Sequence, residues 1–310
     1  MSETTAGQAA RAPGSRYLDP RTLQRIGDLD VAARTIVEGL RIGGHRSPLR
    51  GFSTEFDQHR QYVPGDPLRH VDWRVFGRTE RFYVKMYEAE TNFDANLLLD
   101  ASRSMRYRSA TLSKLEYAKH LAASLAYLIA EQRDAVGLAV FDDRVRDYIE
   151  PRSSPAVVRD IAAMLQRAEG GPRTDVAAIL HEFARRIPRR GVVLLFSDLL
   201  DAEHGLLRGL EHLRFRGHDV ALFHTLDPAE LRFEFDGSRR FVGVEHPESL
   251  AAEPRRIRRA YLRELRRFLA DVRGDCEKAG VDYTLVDTSQ PLEVVLCRYL
   301  ETRRAGRLRS

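Results

Sequence analysis

Residues 95–105 read ANLLLDASRSM, and this stretch decides the interpretation of the fold. The run of leucines ends at Asp100, and two hydroxyls follow at alternate positions, Ser102 and Ser104. A short, uninterrupted apolar run is typical of a strand that is covered on both faces, as in a parallel sheet. Side chains that follow such a strand lie at the carboxyl edge of the sheet, where open α/β sheets bind ligands. The stretch therefore predicts a central strand with a candidate site at its end.

Segments of strand and helix character alternate through the rest of the chain. Segments with a strand pattern at 135–143, 191–197, 219–227 and 281–288 alternate with segments of helical period. This order predicts an α/β fold with a doubly wound, mostly parallel central sheet and helices on both faces. An N-terminal helix over 20–41 and an irregular β segment are expected before it. Smaller predictions are a capping box at Ser113 and Glu116, an edge strand at 145–151 and a hairpin within 232–244.

Composition suggests four parts of the chain. Residues 1–16 are expected to be a flexible N-terminus, and 17–92 to hold the N-terminal helix and the irregular segment. Residues 93–300 form the predicted α/β domain, and 301–310 a basic C-terminal tail.

Hydrophobic residues make up 43% of the 310 residues and charged residues 31%, as in ordinary globular proteins. The longest apolar run, 121–130, is about half of a membrane span. The N-terminus lacks the apolar core of a signal peptide, so we expect a cytoplasmic protein with no membrane span. The two cysteines, Cys276 and Cys297, are too few and too far apart for a disulfide framework or a zinc knuckle.

The positive charge of the chain is concentrated at its C-terminal end. Residues 253–310 hold 14 Lys and Arg against 9 Asp and Glu, whereas the rest of the chain holds 36 of each. The sequence RRIRRAYLRELRRFLADVR, from Arg255, predicts an amphipathic helix with arginines on its outer face. A solvated helix is the simpler interpretation, and a surface that binds phosphates or a partner is the alternative.

A second strand end resembles the first, because GVVLLFSDLLD places Asp198 after another apolar run. The carboxyl ends of parallel strands meet at one edge, so we expect Asp100 and Asp198 to face the same crevice. The loop GGPRTD would bring Thr174 to the same edge. All of these donors are oxygen atoms, which suit a hard cation. We therefore expect Mg2+ as the cofactor, with Mn2+ or Ca2+ as alternatives.

The motifs DASRSM, GGPRTD and FSDLLD resemble the three parts of a metal-ion-dependent adhesion site in the von Willebrand factor A fold. One departure is that Pro172 and Arg173 separate GG from the threonine, where many relatives have GGT. The resemblance implies direct ligation by the serines and action of the aspartates largely through water. It assigns five metal-binding positions: Asp100, Ser102, Ser104, Thr174 and Asp198.

The segment RSPLRGFSTEFDQHRQYVPGDPLRHVDWRVFGR resembles the signature of the bacterial "domain of unknown function 58" family. The resemblance implies a von Willebrand factor A-like fold and an adaptor or cofactor role beside a MoxR-type AAA+ ATPase. The matching residues are Gly51, Glu55, Phe56, Arg60, Tyr62, Pro64, Gly65, Asp66, Arg69, Asp72, Trp73 and Arg78.

Two interpretations of this segment remain open. Salt bridges among its charged side chains could clamp an irregular segment against the sheet. Alternatively, the segment could be a docking surface, because Trp and Arg are favoured in binding hot spots. The candidate residues are Arg60, Tyr62, Asp66, Arg69, Asp72, Trp73 and Arg78.

These observations predict a Mg2+-dependent protein-interaction module that is not an enzyme, in which a partner's Asp or Glu completes the coordination of the metal. One alternative is a metal-dependent hydrolase that uses Ser102 or Ser104, although His181 and Glu182 lack the second histidine of HExxH and the sequence has no GxSxG or Walker lysine motif. The other alternative is nucleic-acid binding through the arginine-rich helix. It is not expected, because no zinc-finger or RRM module is present.

Overall fold

The computed structural model of the protein describes residue 37 and residues 56–61, 73–79, 82–87, 94–169, 171, 174–200, 205–237, 239–242 and 249–307. Of the helix predicted over 20–41, only Val37 is described, and it is helical and buried. The rest of that prediction lies outside the described residues.

A central sheet of six strands is the core of the α/β domain. In chain order its strands are β3 (Asp94–Asp100), β4 (Ala135–Phe141), β5 (Val145–Arg152), β6 (Gly191–Ser197), β7 (Asp219–Leu226) and β10 (Asp282–Asp287). Across the sheet the order is β10-β7-β6-β3-β4-β5, and every neighbouring pair is parallel except the antiparallel edge pair β4 and β5. The prediction of a mostly parallel α/β sheet with an edge strand near 145–151 is confirmed.

Helices cover both faces of this sheet. One apolar layer contains α2 (Lys114–Glu131), α3 (Pro155–Arg167) and α8 (Leu292–Arg307), and the other contains α4 (Val176–Arg186), α5 (Leu206–Phe215) and α7 (Pro254–Ala279). Leu97 and Leu99 of β3 pack into the first layer and Leu98 into the second. Burial on both faces explains why this strand is an uninterrupted apolar run.

The helix that follows the candidate site begins where the sequence predicted it. The Ser113 hydroxyl accepts a hydrogen bond from the Glu116 backbone N–H at 3.1 Å, and the Glu116 carboxylate accepts one from the Ser113 N–H at 2.7 Å. This confirms the capping box, which satisfies two N–H groups that the first turn leaves free.

Two smaller β ribbons and two short helices complete the described fold. The strands β1 (Phe56–Gln61) and β2 (Tyr83–Tyr87) pair antiparallel, and α1 (Trp73–Thr79) lies between them in the chain. The sequence had predicted only loops and short strands in the region of α1. The short helix α6 (Pro228–Arg232) precedes the strands β8 (Arg239–Val242) and β9 (Ser249–Ala252), which also pair antiparallel.

The hairpin predicted within 232–244 is wrong. Only its second half forms a strand, and that strand pairs with 249–252. The first half is diverted because Phe233 ends α6 in the left-handed conformation, with φ of 49°. Its ring packs on Tyr261 of α7 at 4.3 Å between centroids. Packing of the aromatic ring therefore outweighs the strand-like alternation of RFEF.

No helix among the described residues is both long enough and apolar enough to cross a membrane.

Candidate functional site

Asp100 and Asp198 lie at the carboxyl ends of two neighbouring strands, as the sequence predicted. Strands β3 and β6 are paired in parallel up to Leu99 and Phe196, so the residues that follow meet at one edge. The Ser197 hydroxyl donates to one carboxylate oxygen of Asp100 at 2.6 Å and joins the two strand ends. Asp100 and Asp198 both have 0% of their surface exposed.

The chain turns sharply after Asp100 and brings two serine hydroxyls together. The second carboxylate oxygen of Asp100 accepts a hydrogen bond from the Ser102 N–H at 2.8 Å, which fixes the turn. A single turn of 3-10 helix then begins at Ser104. The Ser102 and Ser104 hydroxyl oxygens are 3.0 Å apart, and both residues are buried. One carboxylate and two hydroxyls therefore converge within a few ångströms, as the alternate spacing implied.

The position of Thr174 is less closely tied to this cluster. Its hydroxyl lies 3.5 Å from the Asp142 carbonyl oxygen, a long separation for a hydrogen bond, and no described hydrogen bond joins it to the other four candidates. The loop that carries it is nevertheless attached to the serine turn, because the Gly171 N–H donates to the Ala101 carbonyl at 2.6 Å. Gly171 also pairs with Ser102 as an isolated parallel bridge.

Close packing explains the glycine at position 171. A Cβ atom there would lie 1.7 Å from a carboxylate oxygen of Asp142. That carboxylate cannot move aside easily, because the Arg146 Nε atom lies 2.7 Å from both of its oxygens. Gly171 of the GGPRTD motif therefore allows the loop to approach the end of β4.

Sequence reasoning missed a buried lysine at this site. The Lys114 ammonium donates to an oxygen of Asp198 and to an oxygen of Glu230, at 2.7 Å in each case. The side chains of Lys114 and Asp198 are unexposed, and that of Glu230 is 18% exposed. One signal was available, because a cation is unfavourable in the first turn of a helix, where the macrodipole is positive.

The electrostatic environments of the two aspartates differ. Burial and the nearby charge of Asp198 raise the pKa of Asp100 to about 7. Burial would lower the pKa of Lys114, but the carboxylates of Asp198 and Glu230 raise it above its ordinary value. Lys114 therefore stays charged and balances Asp198. In the described part of the chain Asp100 makes no ion pair, and all of its hydrogen bonds come from neutral groups.

A buried histidine supports the backbone next to Asp198. The His224 Nε2 atom lies 2.9 Å from the Asp198 carbonyl oxygen, and Nδ1 lies 3.0 Å from the Tyr283 hydroxyl. Burial lowers the pKa of His224 to about 4, so the ring is neutral near pH 7. Since a carbonyl only accepts, Nε2 carries the proton and Nδ1 accepts from the tyrosine. Both nitrogens are therefore engaged in holding the loop.

Hydroxyl and carboxylate oxygens are the donors that this site offers. Among the described residues there is no group of three or more His, Cys, Asp or Glu side chains that could hold a metal. The candidate site thus differs from the usual nitrogen- or thiolate-rich centres of zinc and copper.

Most of the proposed clamp or docking residues cannot be placed. Tyr62, Asp66, Arg69 and Asp72 lie outside the described residues. Arg60 lies in β1 and Trp73 begins α1, while Arg78 is exposed in the last turn of α1. Both interpretations of this segment therefore stay predictions.

The fold and the candidate site define a class, namely open α/β-sheet proteins with a cluster of oxygen donors at the carboxyl edge. Within it, this chain belongs to the family described as "Protein of unknown function DUF58", whose model matches residues 58–270. The expected family membership is confirmed.

The similar proteins do not supply a function. Uncharacterized proteins of Mycobacterium bovis and Mycobacterium tuberculosis are each 25% identical over 299 residues, which cover 94% of this chain and 92% of the relative. BatB of Bacteroides thetaiotaomicron, a conserved hypothetical protein, is 15% identical with a TM-score of 0.45, over 69% of this chain and 99% of BatB. An aerotolerance-related membrane protein of Bacteroides fragilis, solved with several mutations to serine, is 19% identical with a TM-score of 0.44, over 68% and 99%.

Proposed function

We propose that this protein is a Mg2+-dependent protein-interaction module without enzymatic activity. The observation that carries the proposal is the buried cluster of Asp100, Ser102 and Ser104 at the sheet edge, beside Asp198. These residues would hold the cation, and Thr174 would reach it from the neighbouring loop. In this proposal the fold is of the von Willebrand factor A type and the site is a metal-ion-dependent adhesion site.

The charge of the site supports a cation. The carboxylates of Asp198 and Glu230 share the ammonium of Lys114, whereas Asp100 has no ion-pair partner among the described residues. Negative charge is therefore in excess in a region that excludes water, which is costly unless the excess is protonated or neutralised. A divalent cation would neutralise it, and hydroxyl and carboxylate oxygens suit Mg2+, with Mn2+ or Ca2+ as alternatives.

The donor set also supports a role in binding. Hydroxyl ligands are neutral, so a bound cation would keep much of its positive charge. It could then bind an acidic ligand from another molecule. A partner that presents an Asp or Glu would complete the coordination. We infer that a protein is recognised in this way, and the resemblance noted above suggests a MoxR-type AAA+ ATPase in the cytoplasm, with this chain as its adaptor during assembly or maturation of a protein complex.

The contacts of the serines give no support to a hydrolase. Nucleophilic catalysis by Ser102 or Ser104 needs a base within hydrogen-bond reach. None of the hydrogen bonds of the described residues joins a histidine to either serine, and His224 uses both nitrogens elsewhere.

A capture experiment tests the proposal. Immobilised wild-type protein and the Asp100→Ala variant are each incubated with a purified MoxR-type ATPase in Mg2+ or in EDTA. The proposal predicts capture by the wild type in Mg2+ alone and none by the variant. Equal capture by both proteins in EDTA would exclude a metal bridge.

One observation favours a second candidate function, nucleic-acid binding. All eight arginines of α7 are exposed, and the helix carries only four acidic residues. Phosphate binding to such a face would show as a steep fall in affinity with salt. Titration of duplex DNA at several salt concentrations separates the two candidates, because the interaction module predicts negligible DNA binding at physiological salt.

A further inference from the structure

The ammonium of Lys114 lies between two carboxylates and is completely buried. Its distances to Asp198 and Glu230 are both 2.7 Å. Burying a lysine is unfavourable unless its charge is balanced, and the first turn of a helix adds a further unfavourable term. Since Lys114 is the first residue of α2, it carries both costs. The lysine is therefore held there by its two partners.

Glu230 is fixed independently of Asp198. One of its carboxylate oxygens accepts a hydrogen bond from the Asp227 N–H at 2.8 Å, in the capping box of α6, and the other accepts from Lys114. The Asp227 side chain is tied in turn to the Ser109 N–H at 2.8 Å. Glu230 can therefore keep its position and its ion pair with Lys114 when the contacts of Asp198 change.

A cation that binds Asp198 has to share its carboxylate with Lys114. One of its oxygens accepts from the lysine, and the other accepts a long hydrogen bond of 3.3 Å from the Leu200 N–H. A cation that approaches Asp198 therefore meets a positive charge already in contact with the same carboxylate. Like charges at this range oppose each other, more strongly in a buried site than in water.

We infer that Lys114 is an internal counter-cation that sets the affinity of this site for divalent cations. Glu230 keeps the lysine in place when Asp198 binds the cation. This inference rests on the proposed function. Lys114 and Glu230 are positioning residues here, because they act through Asp198. The affinity of the site for the cation then depends on how the charge of Lys114 is divided between its two carboxylates. The more of that charge Glu230 neutralises, the more of the Asp198 charge is available to the cation.

The two partners of the ion pair should therefore have opposite effects. Replacing Lys114 with Met frees Asp198 and should tighten Mg2+ binding about tenfold. Replacing Glu230 with Gln leaves the lysine to Asp198 alone and should weaken binding by about the same factor. In the double variant the Glu230→Gln change should have no effect, because the lysine through which it acts is absent.

A double-mutant cycle on the full chain tests this coupling. Mg2+ binding is measured by calorimetry and Mn2+ binding by electron paramagnetic resonance, with melting temperatures as a check of folding. Two matched controls separate coupling from general electrostatics. Glu234→Gln removes an exposed carboxylate four residues after Glu230. Lys119→Met removes the next lysine of α2, whose ammonium contacts the Ala168 carbonyl at 2.6 Å. Both should change affinity less than twofold.

The outcomes distinguish this inference from the proposed function. A wild type that binds neither Mg2+ nor Mn2+ overturns the proposed function itself. If the wild type binds Mg2+ or Mn2+, the proposed function stands. If Glu230→Gln then changes the affinity equally with and without Lys114, only the inference is overturned. Should Lys114→Met fail to fold, the comparison of Glu230→Gln with Glu234→Gln still decides. Equal effects of the two variants on affinity would mean that any lost carboxylate charge acts in the same way, and would overturn the inference.

Discussion

The Lys114 ammonium and the Asp198 carboxylate lie 2.7 Å apart with neither side chain exposed. Asp198 is thereby balanced inside the protein. Asp100, at the end of the neighbouring strand, receives hydrogen bonds only from neutral groups within the described ranges. Two carboxylates that look equivalent in the sequence therefore have different environments. The unbalanced one, Asp100, is the residue on which cation binding should depend most.

Removing the charge of Asp100 should abolish cation binding without unfolding the protein. The Asp100→Asn variant loses an anionic ligand but keeps the size of the side chain. Its free energy of unfolding should change little, because removing a buried, unbalanced charge offsets the loss of one of the two hydrogen bonds that the carboxylate accepts. Calorimetry with Mg2+ and thermal melting check both points. Asp94→Asn, at the opposite end of β3, is the matched control and should bind as the wild type does. Undiminished binding by Asp100→Asn would place the cation elsewhere.

Cation binding should stabilise the folded protein. A ligand that binds only the folded state at a hundred times its dissociation constant raises the free energy of unfolding by about 2.7 kcal/mol. The wild type should therefore melt at a higher temperature in Mg2+ than in EDTA. The Asp100→Asn variant should melt at the same temperature in Mg2+ and in EDTA. A rise of its melting temperature in Mg2+ equal to that of the wild type would indicate non-specific stabilisation by salt.

Gly171→Ala should damage the loop that carries Thr174. The added methyl group would overlap the Asp142 carboxylate, which Arg146 holds in place, so we expect a loss of about 1–3 kcal/mol in the free energy of unfolding. Gly274→Ala is the control, because its methyl group meets nothing within 4 Å in α7 and should add about 0.5–1 kcal/mol. Urea denaturation measures both. An unchanged free energy of unfolding in Gly171→Ala would show that the loop can shift to accommodate the methyl group.

Asp134 should make stability depend on pH at the opposite edge of the sheet. Burial raises its pKa from 3.8 to about 6, and one carboxylate oxygen has no hydrogen-bond partner in the part of the chain that the structure describes. The folded protein therefore binds this proton more tightly than the unfolded chain does, and its contribution to stability is lost as pH rises from about 4 to about 6.

Asp134→Asn removes this penalty. At pH 7.5 the variant should be more stable than the wild type by about 1–2 kcal/mol, and the difference should vanish near pH 4. Urea denaturation at several pH values measures it. A variant that is less stable at pH 7.5 would mean that the carboxylate has a favourable partner.

Local sequence patterns predicted much of the fold and the centre of the site. The apolar run before Asp100 identified a strand buried on both faces, and the D-x-S-x-S spacing placed three oxygen donors on one turn. These features depend on residues close together in the chain. The same holds for the capping box at Ser113, whose two partners are three residues apart.

Features that depend on distant contacts could not be predicted in this way. Lys114 pairs with residues 84 and 116 positions away. Its place in the first turn of a helix is unusual for a cation, but the sequence does not show which carboxylates it contacts. The short helix α6 was also missed, since five residues are too few to show a helical period. The contact of Phe233 with Tyr261 diverts a segment whose local pattern favours a strand.

The most direct test of the metal site is an anomalous-scattering map from a crystal of the full chain soaked in Mn2+. The account predicts one strong peak at the carboxyl edge of β3 and β6, within ligand distance of the Ser102 and Ser104 hydroxyls and next to Asp100 and Asp198. A fully occupied Mn2+ peak elsewhere, with this edge empty and the two serines still hydrogen-bonded to each other, would contradict it.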